Sequence, residues 1–252
     1  MRILIVGNNW VGWQVTRWLR EQGEMIVGLV LHPPSSRTYG EEIIRSAGTN
    51  PTCIFDGSLL RQEETLGKIR SLRADIALSL LFDFILQPRF LELFPAGVIN
   101  LHPAYLPYNR GQYPNVWSIV ERTPAGVTLH YVDSGIDTGD IIAQREVPIE
   151  PVDTGESLYR RLEQASVDLF IDTWPLIRAG KARGVPQRGE GTAHCRRDVN
   201  RIDEIDLNRS YPARQLIDTI RARTFSSYPG AYVVHNEEKI YLRLSLLREQ
   251  DL

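Results

Sequence analysis

The sequence predicts an α/β fold, a Rossmann-like and mostly parallel sheet flanked by helices, with a small β-rich C-terminal extension. In the first hundred residues, short apolar runs alternate with segments of helical periodicity. Such alternation is typical of parallel strands joined by right-handed crossover helices. Towards the C-terminus the alternation stops, and a polar, glycine-bearing stretch leads into short β-rich segments. The 252 residues suffice for one large domain, with or without a small appendage.

The first half of the chain contains five predicted strands and four predicted helices. The strands are short apolar runs of the length that buried strands have, at Arg2–Val6, Met25–Leu31, Thr52–Phe55, Asp75–Leu81 and Val98–Leu101. The helices, in which apolar residues recur at three- and four-residue intervals, are Trp10–Glu21, Glu41–Ser46, Leu59–Leu72 and Pro88–Leu93.

The middle of the chain differs in texture. Two β-rich segments, Gly126–Val132 and Ile141–Pro148, are joined by the turn-rich loop DSGIDTGD. A long amphipathic helix follows over Thr154–Ala179, with Thr154 as its N-cap and Gly180 just past its end.

The last seventy residues are predicted to form a separate small part. Residues 181–203 have no sustained period and indicate a linker plus a hairpin. The elements after them are a helix at Pro212–Arg223 and strands at Ala231–Val234 and Lys239–Leu247. We therefore divide the chain into a large N-terminal domain over residues 1–182 and a C-terminal α+β subdomain over residues 183–252. The subdomain is too small for an ordinary core of its own, so we expect it to pack on the large domain or on a partner subunit, and to make substrate or dimer contacts.

Composition excludes several classes of function. The net charge is −2, which gives no general attraction to nucleic acid or to an anionic membrane. Two cysteines, Cys53 and Cys195, suggest neither a disulfide framework nor a four-ligand zinc site, and indicate a cytoplasmic protein. No apolar run approaches the roughly 20 residues that span a bilayer. The opening MRILIVGNN is interpreted as a strand running into glycine and not as a signal peptide.

The loop GNNWVG after the first strand is one candidate ligand site. Gly7 and Gly12 precede and open a predicted helix, where backbone N–H groups can meet an anion. The pattern is not GxGxxG, because Asn9 stands where the second glycine belongs, and no acidic residue ends the second strand. A dinucleotide site is therefore disfavoured, and a phosphate-contacting loop or a plain turn is expected.

The stretch from Gly97 to Ala143 is the stronger candidate for chemistry. Asn100 and His102 are two apart on a strand and therefore point to the same face, at the strand's carboxyl end. The DSGIDTGD loop supplies a carboxylate from Asp133, Asp137 or Asp140, and spacing alone does not choose among them. A structural histidine with a turn aspartate is the competing interpretation. An amide, an imidazole and a carboxylate that converge suit chemistry at a carbonyl.

The segments VINLHPAYLPYNRG and GVTLHYVDSGIDTGDIIAQ resemble the 10-formyltetrahydrofolate-dependent formyltransferases. The resemblance is densest over residues 76–150, and it implies the formyltransferase fold and formyl transfer to a primary amine. It matches Asn100, His102 and Asp137 to the family's catalytic residues, and thereby favours Asp137 over the other two aspartates. No metal is expected. Asn100 and His102 would stabilise the oxyanion, while Asp137 would pair with His102 and help to move a proton.

The resemblance also implies the binding residues. Two loops would hold 10-formyltetrahydrofolate largely through main-chain groups, and their residues are Phe82, Phe84, Ile85, Leu86, Val132, Asp133 and Gly135. The acceptor would meet a second set of residues, namely Asn9, Trp10, Tyr105, Arg110 and Tyr113. The aromatic members of this second set could equally be core residues, and Arg110 could meet a pyrophosphate or brace its own loop.

Three features indicate which amine is formylated. Residues 183–252 carry 12 Arg and Lys against 10 Asp and Glu, too weak an excess for a tRNA-binding appendage. The loop at Asn8–Trp10 departs from the Gly-Ser-Asn of the ribonucleotide-formylating branch. The segments IRARTFSSYPGAYV and GTAHCRRDVNRID resemble the nucleotide-sugar branch. We therefore expect a nucleotide-linked amino-deoxysugar as acceptor, a role in lipopolysaccharide or surface-glycan synthesis, and a homodimer.

Two other functions stay open at this point. The same three side chains would serve a formyltetrahydrofolate hydrolase, or formylation of another small amine. The hydrolase branch carries an N-terminal regulatory domain, whereas this chain is expected to begin directly with the sheet. A non-catalytic binding protein is disfavoured because a binder has no need of all three residues.

Overall fold

A seven-stranded sheet organises the protein in the computed structural model, which describes all 252 residues. The strands in chain order are β1 (Arg2–Gly7), β2 (Met25–Leu31), β3 (Ile54–Asp56), β4 (Ile76–Leu80), β5 (Val98–His102), β6 (Arg110–Gly111), β7 (Gly126–Tyr131), β8 (Ile141–Glu146), β9 (Ala193–His194), β10 (Tyr232–His235) and β11 (Glu238–Tyr241). The helices are α1 (Asn9–Glu21), α2 (Gly40–Ala47), α3 (Glu63–Ser71), α4 (Pro88–Leu91), α5 (Pro114–Glu121), α6 (Gly155–Arg178), α7 (Asn200–Asp203) and α8 (Ala213–Ala222).

The strand order in the main sheet is β3-β2-β1-β4-β5-β7-β8. The neighbours from β3 to β5 pair in parallel, while β5 and β7 pair antiparallel. The carboxyl ends of β1, β2, β4 and β5 therefore meet at one edge of the sheet. This arrangement confirms the predicted mostly parallel α/β fold, and its edge is where ligands bind in such sheets.

The core lies on the central strands. Ile3, Leu4, Ile5 and Val6 of β1 are fully buried, as expected for a parallel strand covered by helices on both faces. One cluster of buried side chains extends from β1 to Phe90 and carries several loop residues of the site described below. No helix combines the length and apolar composition that a membrane crossing needs.

The chain divides into two compact units. The first comprises Met1–Pro103, Val127–Arg145 and Glu163–Arg188 and contains the seven-stranded sheet. The second comprises Ala104–Gly126, Glu146–Leu162 and Gly189–Leu252. The domain boundary at residue 182 that we draw from the sequence stays a prediction.

The second unit is small and mixed. In it α5 packs on α8, β6 pairs in parallel with β9, and β10 and β11 form an antiparallel hairpin. Its own apolar cluster centres on Ile205, Ala231 and Val233. A small antiparallel element at the C-terminal end confirms the predicted β-rich extension.

Two predicted elements differ from those in the structure by four or more residues at one end. The helix expected from Leu59 begins at Glu63, because the Asp56 carboxylate accepts the Ser58 N–H and starts a separate 3-10 turn. The strand predicted over Lys239–Leu247 ends at Tyr241, because its partner β10 is only four residues long.

Residues 181–203 do not form the predicted hairpin. Residues Ala193–His194 pair instead with Arg110–Gly111, and Val185 makes an isolated bridge with Ile141. Helix α5 has no counterpart among the predicted elements. The N-cap of the long helix was predicted correctly, because Thr154 and Ser157 exchange side-chain-to-backbone hydrogen bonds.

Candidate active site

Two adjacent antiparallel strands and one loop form the candidate site. Asn100 and His102 lie on β5, where they face His130 and Thr128 of β7 in the register of the sheet. The chain leaves β7 at Tyr131 and enters the loop of residues 132–140, which carries Asp137. All of these residues belong to the first unit. The fold therefore brings together the amide, the imidazole and the carboxylate that the sequence singles out.

The three side chains are within contact distance. The amide Nδ2 of Asn100 donates to Oδ1 of Asp137 at 3.3 Å. The imidazole Nε2 of His102 lies 3.6 Å from Oδ2 of the same carboxylate. The His102 side chain is 9% exposed and that of Asp137 15%, so the pair is shielded from water but reachable from it. Asp133 and Asp140 do not take this place, since both are exposed.

His130 is a fourth member of the cluster and was missed in the sequence. Its Nδ1 is 2.8 Å from the carbonyl oxygen of Tyr131, and a carbonyl only accepts, so Nδ1 carries the proton. In the neutral ring Nε2 is then an acceptor, and it receives the Asn100 Nδ2 hydrogen at 3.1 Å. This bond orients the Asn100 amide nitrogen towards Asp137. The available signal was the antiparallel pairing of β5 with β7, which sets His130 opposite Asn100.

The loop that carries Asp137 has a constrained backbone. Asp137 has φ +52°, in the left-handed region that most side chains avoid. Asp133 accepts hydrogen bonds from the Gly135 N–H at 3.0 Å and the Thr138 hydroxyl at 2.7 Å, which close the loop on itself. A Cβ at Gly139 would collide with the carbonyl oxygen of Tyr131. The residue types of this loop are therefore set by its shape.

One predicted folate loop, after β4, is half anchored and half exposed. Leu86 belongs to the main buried cluster and Phe82 packs against it. Phe84 and Ile85 are exposed, Ile85 at 64%. The rings of Phe82 and Phe84 also meet the buried imidazole of His32 edge-on, at 5.0 Å and 5.1 Å between centroids. The loop thus presents two apolar side chains to solvent while Leu86 and Phe82 anchor it on the core.

The other predicted folate loop begins at Val132, which packs against the same buried cluster. Asp133 and Gly135 lie on its exposed part, and their polar groups close the loop as described above. The two loops are thus anchored on one core, as the walls of a single site require. That these seven residues bind folate stays a prediction.

The predicted acceptor residues fall in both units. Asn9 and Trp10 begin α1 in the first unit, and Asn9, at φ +59°, accepts the Val11 N–H at 3.0 Å. Tyr105, Arg110 and Tyr113 belong to the second unit and are half-buried. Arg110 is part of the short β6–β9 pair. The Arg223 guanidinium lies 6.0 Å from the centroid of the Tyr113 ring. Their role in binding stays a prediction.

The electrostatics of the site come from one carboxylate among imidazoles. No group of three or more His, Cys, Asp or Glu side chains is arranged to hold a metal ion. Next to the site, burial raises the pKa of Tyr131 above its ordinary value of 10.0. Its hydroxyl therefore stays a donor, and it donates to the carbonyl oxygen of Ala182 at 3.0 Å. An amide donor, an imidazole and a carboxylate can stabilise a developing oxyanion and move a proton.

Comparison with known protein families gives two matches. A model described as formyl transferase matches residues 12–174, and one described as N-formyltransferase dimerization C-terminal domain matches residues 198–248. The chain is 32% identical over 176 residues to a dTDP-4-amino-4,6-dideoxyglucose formyltransferase of Mycobacterium tuberculosis, covering 67% of this chain and 75% of that protein. It is 30% identical over 238 residues to a methionyl-tRNA formyltransferase of Symbiobacterium thermophilum, covering 92% of this chain and 72% of that protein.

Solved structures of formyltransferases superpose on this chain. A 4-N formyltransferase from Francisella tularensis superposes with a TM-score of 0.82 at 26% identity, covering 98% of each chain. A formyltransferase from Anoxybacillus kamchatkensis, solved in complex with UDP-4,6-dideoxy-4-formamido-L-AltNAc and tetrahydrofolate, superposes with a TM-score of 0.61 at 33% identity. That match covers 80% of this chain and 89% of the other.

Proposed function

The chain belongs to the formyl transferase family, and from that premise we propose that it moves the formyl group of 10-formyltetrahydrofolate to the primary amine of a nucleotide-linked amino-deoxysugar. The observation that carries the proposal is the convergence of Asn100, His102 and Asp137 at one edge of the sheet. The acceptor class is supported by the Mycobacterium tuberculosis relative, which is named for dTDP-4-amino-4,6-dideoxyglucose, and by the bound ligands of the Anoxybacillus kamchatkensis enzyme.

The amine nitrogen attacks the formyl carbon, and negative charge develops on the formyl oxygen. Asn100 donates to that oxygen in our proposal. Of its two Nδ2 hydrogens, the one on His130 makes the shorter bond and the one on Asp137 the longer. We assign the second hydrogen to the oxyanion, since it is the easier one to redirect. His102 stands beside it as a further donor.

Formation of the new C–N bond leaves a proton on the amine nitrogen. The Asp137 and His102 pair takes this proton and returns it to the folate nitrogen as the old C–N bond breaks. The products are the formamido sugar and tetrahydrofolate, so atoms and charges balance without an oxidant or reductant. The low exposure of the pair supports this role, because a shielded carboxylate interacts more strongly with its neighbours than one in water.

The folate co-substrate fits the two loops on the shared core cluster. Ile85 and Ile136 are exposed at 64% and 59%, one on each loop. Apolar side chains presented outward at a site edge suit a flat heteroaromatic ring. The polar groups of the folate head would be met by main-chain groups of the loops. This accounts for the ordinary side-chain chemistry of both segments.

We also propose a homodimer in the cytoplasm that binds neither nucleic acid nor membrane. The description of the model matched by residues 198–248 supports the dimer. Within that range Tyr241 and Val234 of the hairpin are exposed at 49% and 44%. Two free cysteines, Cys53 and Cys195, fit a reducing compartment. A net charge of −2 supports a small-molecule acceptor over a polyanion.

The test is turnover of 10-formyltetrahydrofolate, followed optically, against a panel of nucleotide-linked amino sugars. Turnover that depends on one sugar supports the proposal and identifies the acceptor. A no-acceptor reaction and a reaction with methionyl-tRNA complete the panel. Turnover without acceptor would indicate a hydrolase, and turnover with methionyl-tRNA alone would indicate the activity for which the Symbiobacterium thermophilum relative is named. Either of these outcomes replaces the sugar assignment.

A further inference from the structure

The segment of residues 182–187, here called the strap, follows α6 and lies between the two family matches, which end at residue 174 and begin again at residue 198. It runs beside the start of β8. Val185 and Ile141 exchange both backbone hydrogen bonds, each at 2.8 Å. The Tyr131 hydroxyl donates to the carbonyl oxygen of Ala182 at 3.0 Å. The strap is thus fixed to the two strands that flank the Asp137 loop.

Gln187 ends the strap and reaches the loop itself. Its side-chain Nε2 donates to the carbonyl oxygen of Asp137 at 2.7 Å and to that of Gly139 at 2.9 Å. Both amide hydrogens of this half-buried side chain are thereby used on one loop. The two carbonyls that it binds belong to Asp137 and to the residue two positions further along the chain. The bonds therefore fix the direction of the peptide planes around the carboxylate.

Beyond the hydrogen bonds that Asp133 makes within it, the loop is held weakly by packing. Asp133, Ser134, Gly135, Ile136 and Thr138 are all exposed, so little apolar burial holds them. The left-handed backbone at Asp137 is itself unfavourable for an L-residue. A loop of this kind keeps one conformation only if its surroundings specify it. Gln187 supplies that specification from outside the loop.

We propose that Gln187 is a positioning residue for formyl transfer, which holds the Asp137 carboxylate opposite Asn100 and His102 through two hydrogen bonds to the loop backbone. The inference deepens the proposed function and rests on it. Gln187 touches neither substrate in this account and acts only through Asp137. A misplacement of about 1 Å in a catalytic group is enough to lower turnover by about 10².

The first test compares side chains that keep or lose the two donors. Gln187→Glu keeps the size and shape of the side chain but presents oxygens to the two carbonyls. At alkaline pH, where the carboxylate carries no hydrogen, we expect kcat to fall about 10- to 100-fold. Gln187→Lys restores donors on a side chain of similar length, so we expect it to keep more activity than Gln187→Glu. KM for the amino sugar should stay within about threefold, because none of its predicted contacts lies on this loop, whereas KM for the folate should rise, because the loop carries Val132, Asp133 and Gly135.

Arg188→Ala is the matched control, since Arg188 is the next residue and is exposed. We expect this variant to match the wild type in kcat and KM. Wild-type kcat in Gln187→Glu, or a rise in KM without loss of kcat, would overturn the positioning role. A ranking in which Gln187→Glu exceeds Gln187→Lys would also overturn it, because shape and not donation would then matter.

A second measurement separates this inference from the proposed function. Amide hydrogen exchange of the peptide over residues 132–140, recorded without any substrate, reports the order of the loop directly. We expect faster exchange there in Gln187→Glu than in Arg188→Ala, with unchanged exchange in β1 and β4. Unchanged exchange in the loop refutes the inference even if the enzyme is active. If the wild type turns over no acceptor and the loop still loosens, the proposed function fails while the Gln187 contact stands.

Discussion

At the scale of single residues, the site depends on which atoms carry hydrogen. The carbonyl oxygen of Tyr131 requires a proton on Nδ1 of His130, which leaves Nε2 to accept from Asn100. The Asn100 amide is thereby oriented with its nitrogen towards Asp137. One backbone carbonyl thus orients a side-chain amide two hydrogen bonds away.

The carboxylate of Asp137 is the group whose removal should matter most. Asp137→Asn keeps the size of the side chain but removes the charge that faces His102, so we expect kcat to fall about 10²- to 10³-fold. His102→Ala should abolish transfer. Both variants should keep the wild-type unfolding temperature to within a few degrees. Near-normal turnover in either folded variant would contradict the assigned roles.

His130 should contribute through the orientation of Asn100. His130→Phe retains a ring in this buried place but cannot accept the Asn100 hydrogen, and we expect kcat to fall roughly tenfold, the equivalent of about 1.4 kcal/mol. His130→Gln offers an acceptor oxygen and should recover part of the loss. Steady-state kinetics on both variants, with unfolding temperatures recorded alongside, measures the difference. Equal kcat in the two variants would show that acceptance by this side chain is irrelevant.

At the scale of elements, the antiparallel pairing of β5 with β7 assembles the site. It sets His130 opposite Asn100 and returns the chain to the sheet edge, where the loop supplies Asp137. The two predicted folate loops rest on one cluster, to which β1, β2, β4 and β5 all contribute buried side chains. The first turn of α6 is anchored in the second unit, where the Glu156 carboxylate accepts the Ser226 hydroxyl and the Ser226 N–H, both at 2.8 Å.

The Glu156 contact predicts a loss of stability in acid. The Ser226 hydroxyl, and then its N–H, hold the pKa of Glu156 below its ordinary value of 4.5. A carboxyl with a lowered folded-state pKa stabilises the fold above its unfolded pKa, and this contribution is lost as pH falls through the folded value. Glu156→Gln should therefore lower the unfolding temperature at neutral pH. Below pH 4.5 the unfolding temperatures of the variant and the wild type should come closer together.

Thermal unfolding of both proteins across this range measures the effect. Glu190→Gln is a suitable control, because Glu190 is an exposed carboxylate in the same unit, and it should follow the wild type at every pH. A difference in unfolding temperature between Glu156→Gln and the wild type that stays constant from neutral to acid pH would contradict the coupling of Glu156 protonation to stability.

At the scale of the whole molecule, the proposed dimer is testable through the exposed side of the hairpin. Val234 of β10 is 44% exposed and lies in the range matched by the dimerization domain. Burying a valine side chain contributes roughly 1.5–3 kcal/mol, so Val234→Asp should weaken self-association at least tenfold. Sedimentation over a range of protein concentrations measures this. Leu176→Asp, at an exposed leucine outside residues 198–248, should leave association unchanged. A Val234→Asp protein that sediments as the wild type would exclude this side of the hairpin.

The sequence by itself determined the alternation of strands and helices, the mostly parallel sheet and the family. These follow from local signals, because a strand buried on both faces must be continuously apolar and a helix on a sheet must be apolar on one side. The Asn-x-His spacing also fixed that Asn100 and His102 share one face, since alternation along a strand is a local property. The ends of short elements, such as the start of α3 and the end of β11, were predicted less well.

Only the tertiary structure decided which remote groups complete the site. His130 and Gln187 are 30 and 87 residues from Asn100 along the chain, and no local pattern marks either of them. Their roles depend on the antiparallel register of β5 with β7 and on the path of the strap beside β8. The tertiary structure alone also shows the pairing of Ala193–His194 with Arg110–Gly111, because a two-residue strand has no periodicity to detect. Contacts between distant segments are set by the packing of the whole core, which a reading of local patterns does not contain.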